Sequence, residues 1–559
     1  MRIFVATAGC LIMLHAPFGA RAQTHDHHND AMSMSMAMPE DSDHAHMMME
    51  SLGKVSFTTS CSPAVQPDFN RAVALMHSFQ FGPAIDGFHG ILARDPGCGI
   101  AYWGIALSNW GNPFAGFKSP GQLAQGLKAI QAGRAATPQT AREKAYIDAV
   151  AHLYEDSDHI DQATRLEAYE AAMARVSADY SDDIEARIFY ALALAAAADP
   201  ADKTYANQIK AGEMLDALFV KYPDHPGLAH YIIHAYDEPE LASRAAEAAK
   251  RYGEIAPSTP HALHMPSHTF TRIGEWQASI DTNMASAAAA QKAGQPADEL
   301  HASDYMIYAY LQTAQDEAAK QLVLASAQTF KQFDPDHVTG AAPVTAGYFA
   351  NAAIPARYAL ERHDWSGALA LTPVETPFGF VNAITVFTRG IGAAHLKNDA
   401  VAQQSIDTLA LIRDKLKSKD DSYWADQVEI QRQEVAAQLS AAHGDTANAL
   451  AMLTKAADME DVTELASITP GPFVPAREML GNLLLDMKQP AKALEQFKAT
   501  LVKEPDRFWS VYGAATAAKQ SGDTRAAQVY FQQLLTIAAH ADKPGRTALT
   551  EAKTALGKK

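Results

Sequence analysis

LGNLLLDMKQPAKALEQFKATLVKEP (480–505) and YGAATAAKQSGDTRAAQVYFQQLLTIAA (512–539) decide how this chain folds. Laid over one another, they place Ala493 over Ala527 and Phe497 over Phe531, both 34 residues apart. Self-similarity at such a period marks stacked supersecondary units, none of which can bury its apolar face alone. Further toward the start, NRAVALMHSFQFGPAIDGFHGILARDP (70–96) has the same two-helix shape, with Ala84, Phe88 and a closing Asp95-Pro96, and AYWGIALSNWGNP supplies the next helix. From about Pro67 the chain reads as helical hairpins almost without interruption, so the expected class is all-α.

A small residue at the helix crossing, an aromatic in the second helix and a proline at the end resemble the tetratricopeptide repeat. The resemblance covers most of 65–540, with degenerate copies and longer insertions at about 325–380. It implies an α-solenoid, a right-handed superhelix whose first helices line a concave groove. The expected division is a leader (1–22), a disordered His/Met-rich tail (23–53), N-terminal repeats (54–200), histidine-rich central repeats (201–325) and C-terminal repeats (326–559). Function does not follow from such a scaffold, which serves many partners.

The chain has 559 residues and a net charge of −18, which argues against a nucleic-acid partner and suits a soluble protein or a cation binder. MRIFVATAGCLIMLHAPFGARAQ reads as a secretory leader: a basic start, the apolar stretch Ile3–Leu14 and an Ala20-Arg21-Ala22 cleavage site. That stretch is too short to span a bilayer, no other is apolar enough, and Cys10 lies inside it rather than at its end. The expectation is therefore a periplasmic protein cleaved near Ala22, with no membrane span and no lipid anchor. In that oxidising compartment the two remaining cysteines, Cys61 and Cys98, are expected to pair and tie FTTSCSP to DPGCG.

Six of the 22 histidines fall between His230 and His301. His230/His234 and His264/His268 are two His-x-x-x-His pairs offset by 34 residues, so each pair projects from one helical face, at the same place on two stacked helices. Gly274 sets a register that puts His261, His264 and His268 at the second, fifth and ninth positions of a first helix. His230 and His234 take the fifth and ninth positions one repeat earlier, with Asp237 at the twelfth; His301, Asp304 and Tyr308 take the second, fifth and ninth one repeat later. The resemblance implies that these positions face the groove. Neutral imidazoles on neighbouring helices suit zinc, copper, iron or nickel, and the set is rich enough for one or two ions. Asp237 and Asp304 are either ligands or acceptors that orient the imidazoles. The plainer alternative is a set of hydrogen-bonded histidines, alone or around an organic anion. Pro266 is the irregularity: a helix that begins there would cost His264 its four-residue geometry with His268.

His77 and His89 read as packing or surface residues, and Tyr102, Trp103 and Trp110 as core. No Gly-rich phosphate loop, Gly-x-Ser-x-Gly elbow or His-Glu-x-x-His helix is present. The tail carries His25, His27, His28, His44 and His46 with Met32, Met34, Met36, Met38 and Met47–Met49. Thioethers favour Cu(I) and imidazole accepts both copper states, so copper is expected ahead of zinc or iron. A low-complexity linker is the bland reading of the same tract.

HYIIHAYDEPELASRAAEAAKRYGEIAPSTPHALHMPSHTFTRIGEWQASIDTN, with the opening FTTSCSP…MHSFQF…AIDGF…DPGC…AYWGIA, resembles a family of exported bacterial tetratricopeptide proteins without an assigned activity. The resemblance treats His230, His234, His261, His264 and His268 as one unit and implies no reaction. The leading expectation is copper binding for sequestration, delivery or tolerance. The alternatives are a metal-dependent enzyme using the same cluster (copper oxidase-like or zinc hydrolase-like) and a scaffold for a periplasmic protein partner. Tyr236, Tyr305 or Tyr308 beside the cluster would favour redox chemistry; a buried carboxylate beside bound water would favour hydrolysis.

Overall fold

The computed structural model describes residues 51–558 apart from Phe117, Pro138, Asp420 and Glu464. The leader and almost all of the His/Met-rich tail lie outside the described residues. Among those described are 26 α-helices, three short 3-10 turns and no strand. Consecutive helices pack on one another along the chain, the arrangement of an α-solenoid.

Polar caps begin many of the helices. Ser119 and Thr140 each form a reciprocal capping box, with Gln122 and Glu143, and Asp161, Asp183, Asp445 and Asp523 accept from the first free N–H groups of theirs. Eight turns inside hairpins share one backbone feature, which recurs between hairpins at Gly294 and Asp506. Phe79, Gly274, Ala314, His363, Lys397, Gly444, Lys488 and Gly522 all have φ between 54° and 82°, and each stands two residues before the next helix. Hairpins then stack through the residues that the repeat pattern singles out. Ala493, Phe497, Ala527 and Phe531 are buried, and Phe497 lies against Gly481 and Gly513, where any Cβ would run into its ring. Gly104 leaves the same space for Phe88.

Trp103 and Trp110 are buried, and Tyr102 packs against the same core. That core runs without a break from Leu52 to Phe270, and a second spans Phe349 to Ala517. Cys61 and Cys98 are disulfide-bonded, with their Cα atoms 4.8 Å apart. No helix among the described residues is long and apolar enough to cross a membrane.

The expected groove is closed by the chain itself. The Trp276 indole donates to the Asp506 carbonyl (3.0 Å), the Tyr308 hydroxyl to Glu504 (2.9 Å), and the Phe508 N–H to Gln312 (3.0 Å). Arg357 pairs with Asp304 (2.8 Å) and donates to the Gly471 carbonyl (3.1 Å). Residues 467–508 thus lie against the first helices of the central repeats. From the other end, the Phe79–Phe81 turn packs on the histidines, and Gln295 donates to Gln80 (3.2 Å). The six histidines therefore occupy an interior seam, not an open concave surface.

Candidate metal centre

The Pro226–Ala235 helix carries His230 and His234. His261 and His264 lie on Pro260–His264, His268 on Pro266–Arg272, and His301 on Pro296–Gln312. A helical segment does begin at Pro266, as the proline foreshadowed, yet His264 keeps its partner. Met265 stays in the right-handed helical region (φ −54°, ψ −34°), so the chain runs on through the junction with only its hydrogen bonding interrupted. The Thr282 hydroxyl donates to the Leu263 carbonyl beside that gap.

The imidazoles fall into two adjacent trios. In each of His230/His234/His261 and His264/His268/His301, one ligand atom per residue lies within 4.8 Å of the others. The trios touch, with ring centroids 6.2 Å apart for His261 and His264 and 6.4 Å for His234 and His268. His230, His261, His264 and His268 are 0%, 6%, 3% and 3% exposed, and His301 is half-buried. The His234 Nε2 is buried without a hydrogen-bond partner. Burial holds His230 and His301 down at about 3, and it pushes His234, His261 and His264 well below the usual imidazole range in the same direction. These rings are neutral, the state a metal requires.

The hydrogen bonds at Nδ1 fix where the remaining lone pairs point. His264 Nδ1 meets Asn283 Oδ1 at 2.8 Å, and Asn283 is oriented because its NH₂ donates to the Ser279 carbonyl (2.8 Å). His268 Nδ1 meets the Asp237 carboxylate at 2.9 Å, and His230 Nδ1 the His77 carbonyl at 2.6 Å. All three partners are acceptors, so each Nδ1 carries a proton, and in the neutral ring that a metal requires the Nε2 holds the free lone pair. The His264 and His268 Nε2 atoms nevertheless face one another at 3.0 Å, and His230 Nε2 is 3.0 Å from His261 Nε2. Between neutral His264 and His268, whose Nδ1 protons are both engaged, two lone pairs at that distance repel unless a cation lies between them, whereas His261 is free to take the tautomer that donates to His230. In a tetrahedral site with metal–nitrogen bonds of about 2.0–2.1 Å, ligand nitrogens stand roughly 3.3 Å apart.

The two acidic candidates separate. Asp237 is an orienting acceptor: it holds His268 and also takes Arg272 Nε at 3.3 Å. Burial pushes its carboxyl up, but His268 and Arg272 outweigh burial and hold it low. Asp304 is not with the imidazoles, because the Arg357 guanidinium claims it. Of the three tyrosines, Tyr305 alone joins the trios, its ring 4.7–5.4 Å from those of His264, His268 and His301 and its hydroxyl 3.3 Å from His268 Nδ1. Tyr236 donates to Asp216, and Tyr308 to Glu504.

Sequence reading missed one group. Of the packing-or-surface reading His77 takes the packing side, and with Glu185 and His225 it forms a buried cluster, Glu185 accepting from His77 Nε2 (2.9 Å) and His225 Nε2 (3.0 Å). Burial would raise the Glu185 carboxyl, but the two imidazoles outweigh it and hold it well down. The cluster fixes His77, whose carbonyl orients His230. The available signal was a lone carboxylate opening the apolar helix IEARIFYALALAA. His89 is exposed, as read.

No protein-family model matches the chain, and no characterised protein matches its sequence. Among solved structures it is similar to human IFIT1 in a dimer with PPP-AAAA, at 10% identity and a TM-score of 0.35 over 79% of this chain and 90% of that one. The human IFIT1 dimer with m7Gppp-AAAA gives 11% identity and a TM-score of 0.33 over the same shares.

Proposed function

We propose that this chain is a metal-dependent enzyme whose two histidine trios hold up to two transition-metal ions, copper ahead of zinc and iron. The carrying observation is the His264–His268 contact, two Nε2 atoms facing at 3.0 Å with both Nδ1 protons committed elsewhere. Burial supports a resident ion over cargo, since handing an ion to a partner needs ligands that reach solvent. Tyr305 against three of the imidazoles supports redox over hydrolytic chemistry, because Asp237 is held by His268 and Arg272 and is not free to act as a base. Copper over zinc rests on the thioether and imidazole content of residues 23–53. The leader adds the periplasm as the place of work. A bound copper ion would supply one-electron chemistry, while the protein fixes imidazole tautomers through Asn283, Asp237 and the His77 carbonyl.

The test is elemental analysis and electron paramagnetic resonance of the exported protein beside a His264→Ala/His268→Ala variant. The expected result is about one to two copper ions per chain, with nitrogen hyperfine structure, reduced in the variant and resistant to a chelator for hours. Copper retained by the variant and lost only when 23–53 is deleted would overturn the centre. Removal by chelator within seconds would support a carrier instead.

A further inference from the structure

A second site lies away from the histidines, among the Val344–Glu361, Gly379–His395 and Ser422–Ala442 helices and the 465–474 segment. It is a cavity of about 50 Å³ that opens to solvent. Its walls are aromatic. Phe380 stacks on Trp424 with centroids 3.9 Å apart and planes 7° apart, and Phe349 and Phe387 lie 6.3 and 6.4 Å from Phe473. Its polar lining consists largely of acceptors. Glu434, 2% exposed, has one carboxylate oxygen with no hydrogen-bond partner, and so does the side-chain oxygen of Gln431, one turn away on the same helix. Glu460 adds a second carboxylate, one oxygen of which accepts from the Ala476 N–H (2.9 Å).

Two carboxylates and an amide oxygen therefore converge where the side walls are ring faces. Burial first, and Glu460 second, push the Glu434 carboxyl well above its usual range; burial raises Glu460 as well. Neighbouring cations are engaged elsewhere: Arg477 pairs with Asp461, Lys503 donates to the Asp461 carbonyl (2.7 Å), and Arg357 pairs with Asp304. A buried acceptor left unpaired is costly, and two neighbouring buried carboxyls are relieved either by a proton or by a bound cation.

We propose that this pocket binds the head of an organic cation rich in N–H donors, a primary ammonium or a guanidinium on a short apolar stem. Its N–H groups would satisfy Glu434, Gln431 and Glu460 together, and the rings would hold the charge and the stem. A quaternary ammonium offers no N–H to these oxygens. A bare divalent ion seeks about six oxygens and has no use for the ring faces. The inference does not rest on the metal centre and stands or falls separately from it.

Isothermal titration of the full chain with n-butylammonium and n-butylguanidinium chloride tests it, with tetramethylammonium and calcium chloride as comparisons. Saturable binding of at least one of the first two is expected, weakened about tenfold or more in Glu434→Gln, which keeps the side chain's shape. Should that variant not fold, Gln431→Leu carries the test, since it removes one acceptor and leaves both carboxylates. The proposal is overturned by no saturable binding of either probe, by undiminished binding in the folded variants, or by calcium binding in place of both.

Discussion

Residue by residue, the centre is decided by what each Nδ1 does. A histidine whose Nδ1–H is tied to a carboxylate or carbonyl presents a more basic Nε2 in a fixed direction. Asp237→Asn keeps the volume but removes the charge that orients His268. Metal affinity should fall about ten- to a hundredfold, read by competition with a chromophoric chelator. Protons compete for the same nitrogens. His230 and His301 are held at about 3 by burial, against an ordinary value near 6.5. Their depressed folded values mean that the unfolded chain binds more protons than the folded one between these limits. Their contribution to metal-free stability is therefore intact above about 6.5 and lost progressively as the pH falls toward 3. Urea midpoints of the metal-free protein should drop between about pH 7.5 and 5; a flat profile would place the imidazoles in contact with solvent.

The hairpin is the repeating element, and its left-handed turn is more regular than its sequence. Eight turns share the geometry, but glycine occupies the left-handed position only at Gly274, Gly444 and Gly522. Elsewhere a side chain bears the strain, as at exposed Lys488 (φ 59°). Lys488→Gly should stabilise the fold by about 0.5–1 kcal/mol, the relief of left-handed strain less the entropy glycine adds to the unfolded chain, measured by denaturant titration. The Pro260–His264 and Pro266–Arg272 pair is a different device at the same scale. Its junction loses hydrogen bonding without leaving the helical region, so one first helix delivers three imidazoles.

Across the molecule, the C-terminal repeats turn a groove into an interior. Arg507, 1% exposed, pairs with Glu361 (2.5 Å) and Glu478 (2.9 Å) and reaches the Tyr308 hydroxyl (3.2 Å), joining parts of the chain far apart in sequence. Arg507→Leu would leave two carboxylates buried without a counter-charge. A cost of about 3–5 kcal/mol is expected in chemical denaturation. The same variant should release metal faster, since Arg507 and Glu504 hold the hydroxyl of Tyr308, which shares its helix with His301 and Tyr305.

The helical hairpins were legible in residues such as Ala493, Phe497, Ala527 and Phe531, because a small residue under an aromatic at a fixed period has only one way to pack. The two His-x-x-x-His pairs were legible for a related reason: a turn of helix puts residues four apart on one face, and a repeat offset puts the pairs side by side. The assignment of Asp237 to His268, of Asp304 to Arg357 and of Tyr305 rather than Tyr308 to the imidazoles was not. Those choices depend on which distant segment reaches each side chain first, and a register assigns a face without naming what covers it. The Glu185 clamp on His77 and His225, and the acceptor-lined pocket around Glu434, belong to the same class. Local spacing along the chain determined the helices and the facing imidazoles; closure by the Phe79–Phe81 turn and by residues 467–508 decided burial, and packing between helices decided tautomer and partner, because a spacing fixes a face while the side chain that meets it comes from another element, as Asn283 meets His264 and Asp237 meets His268.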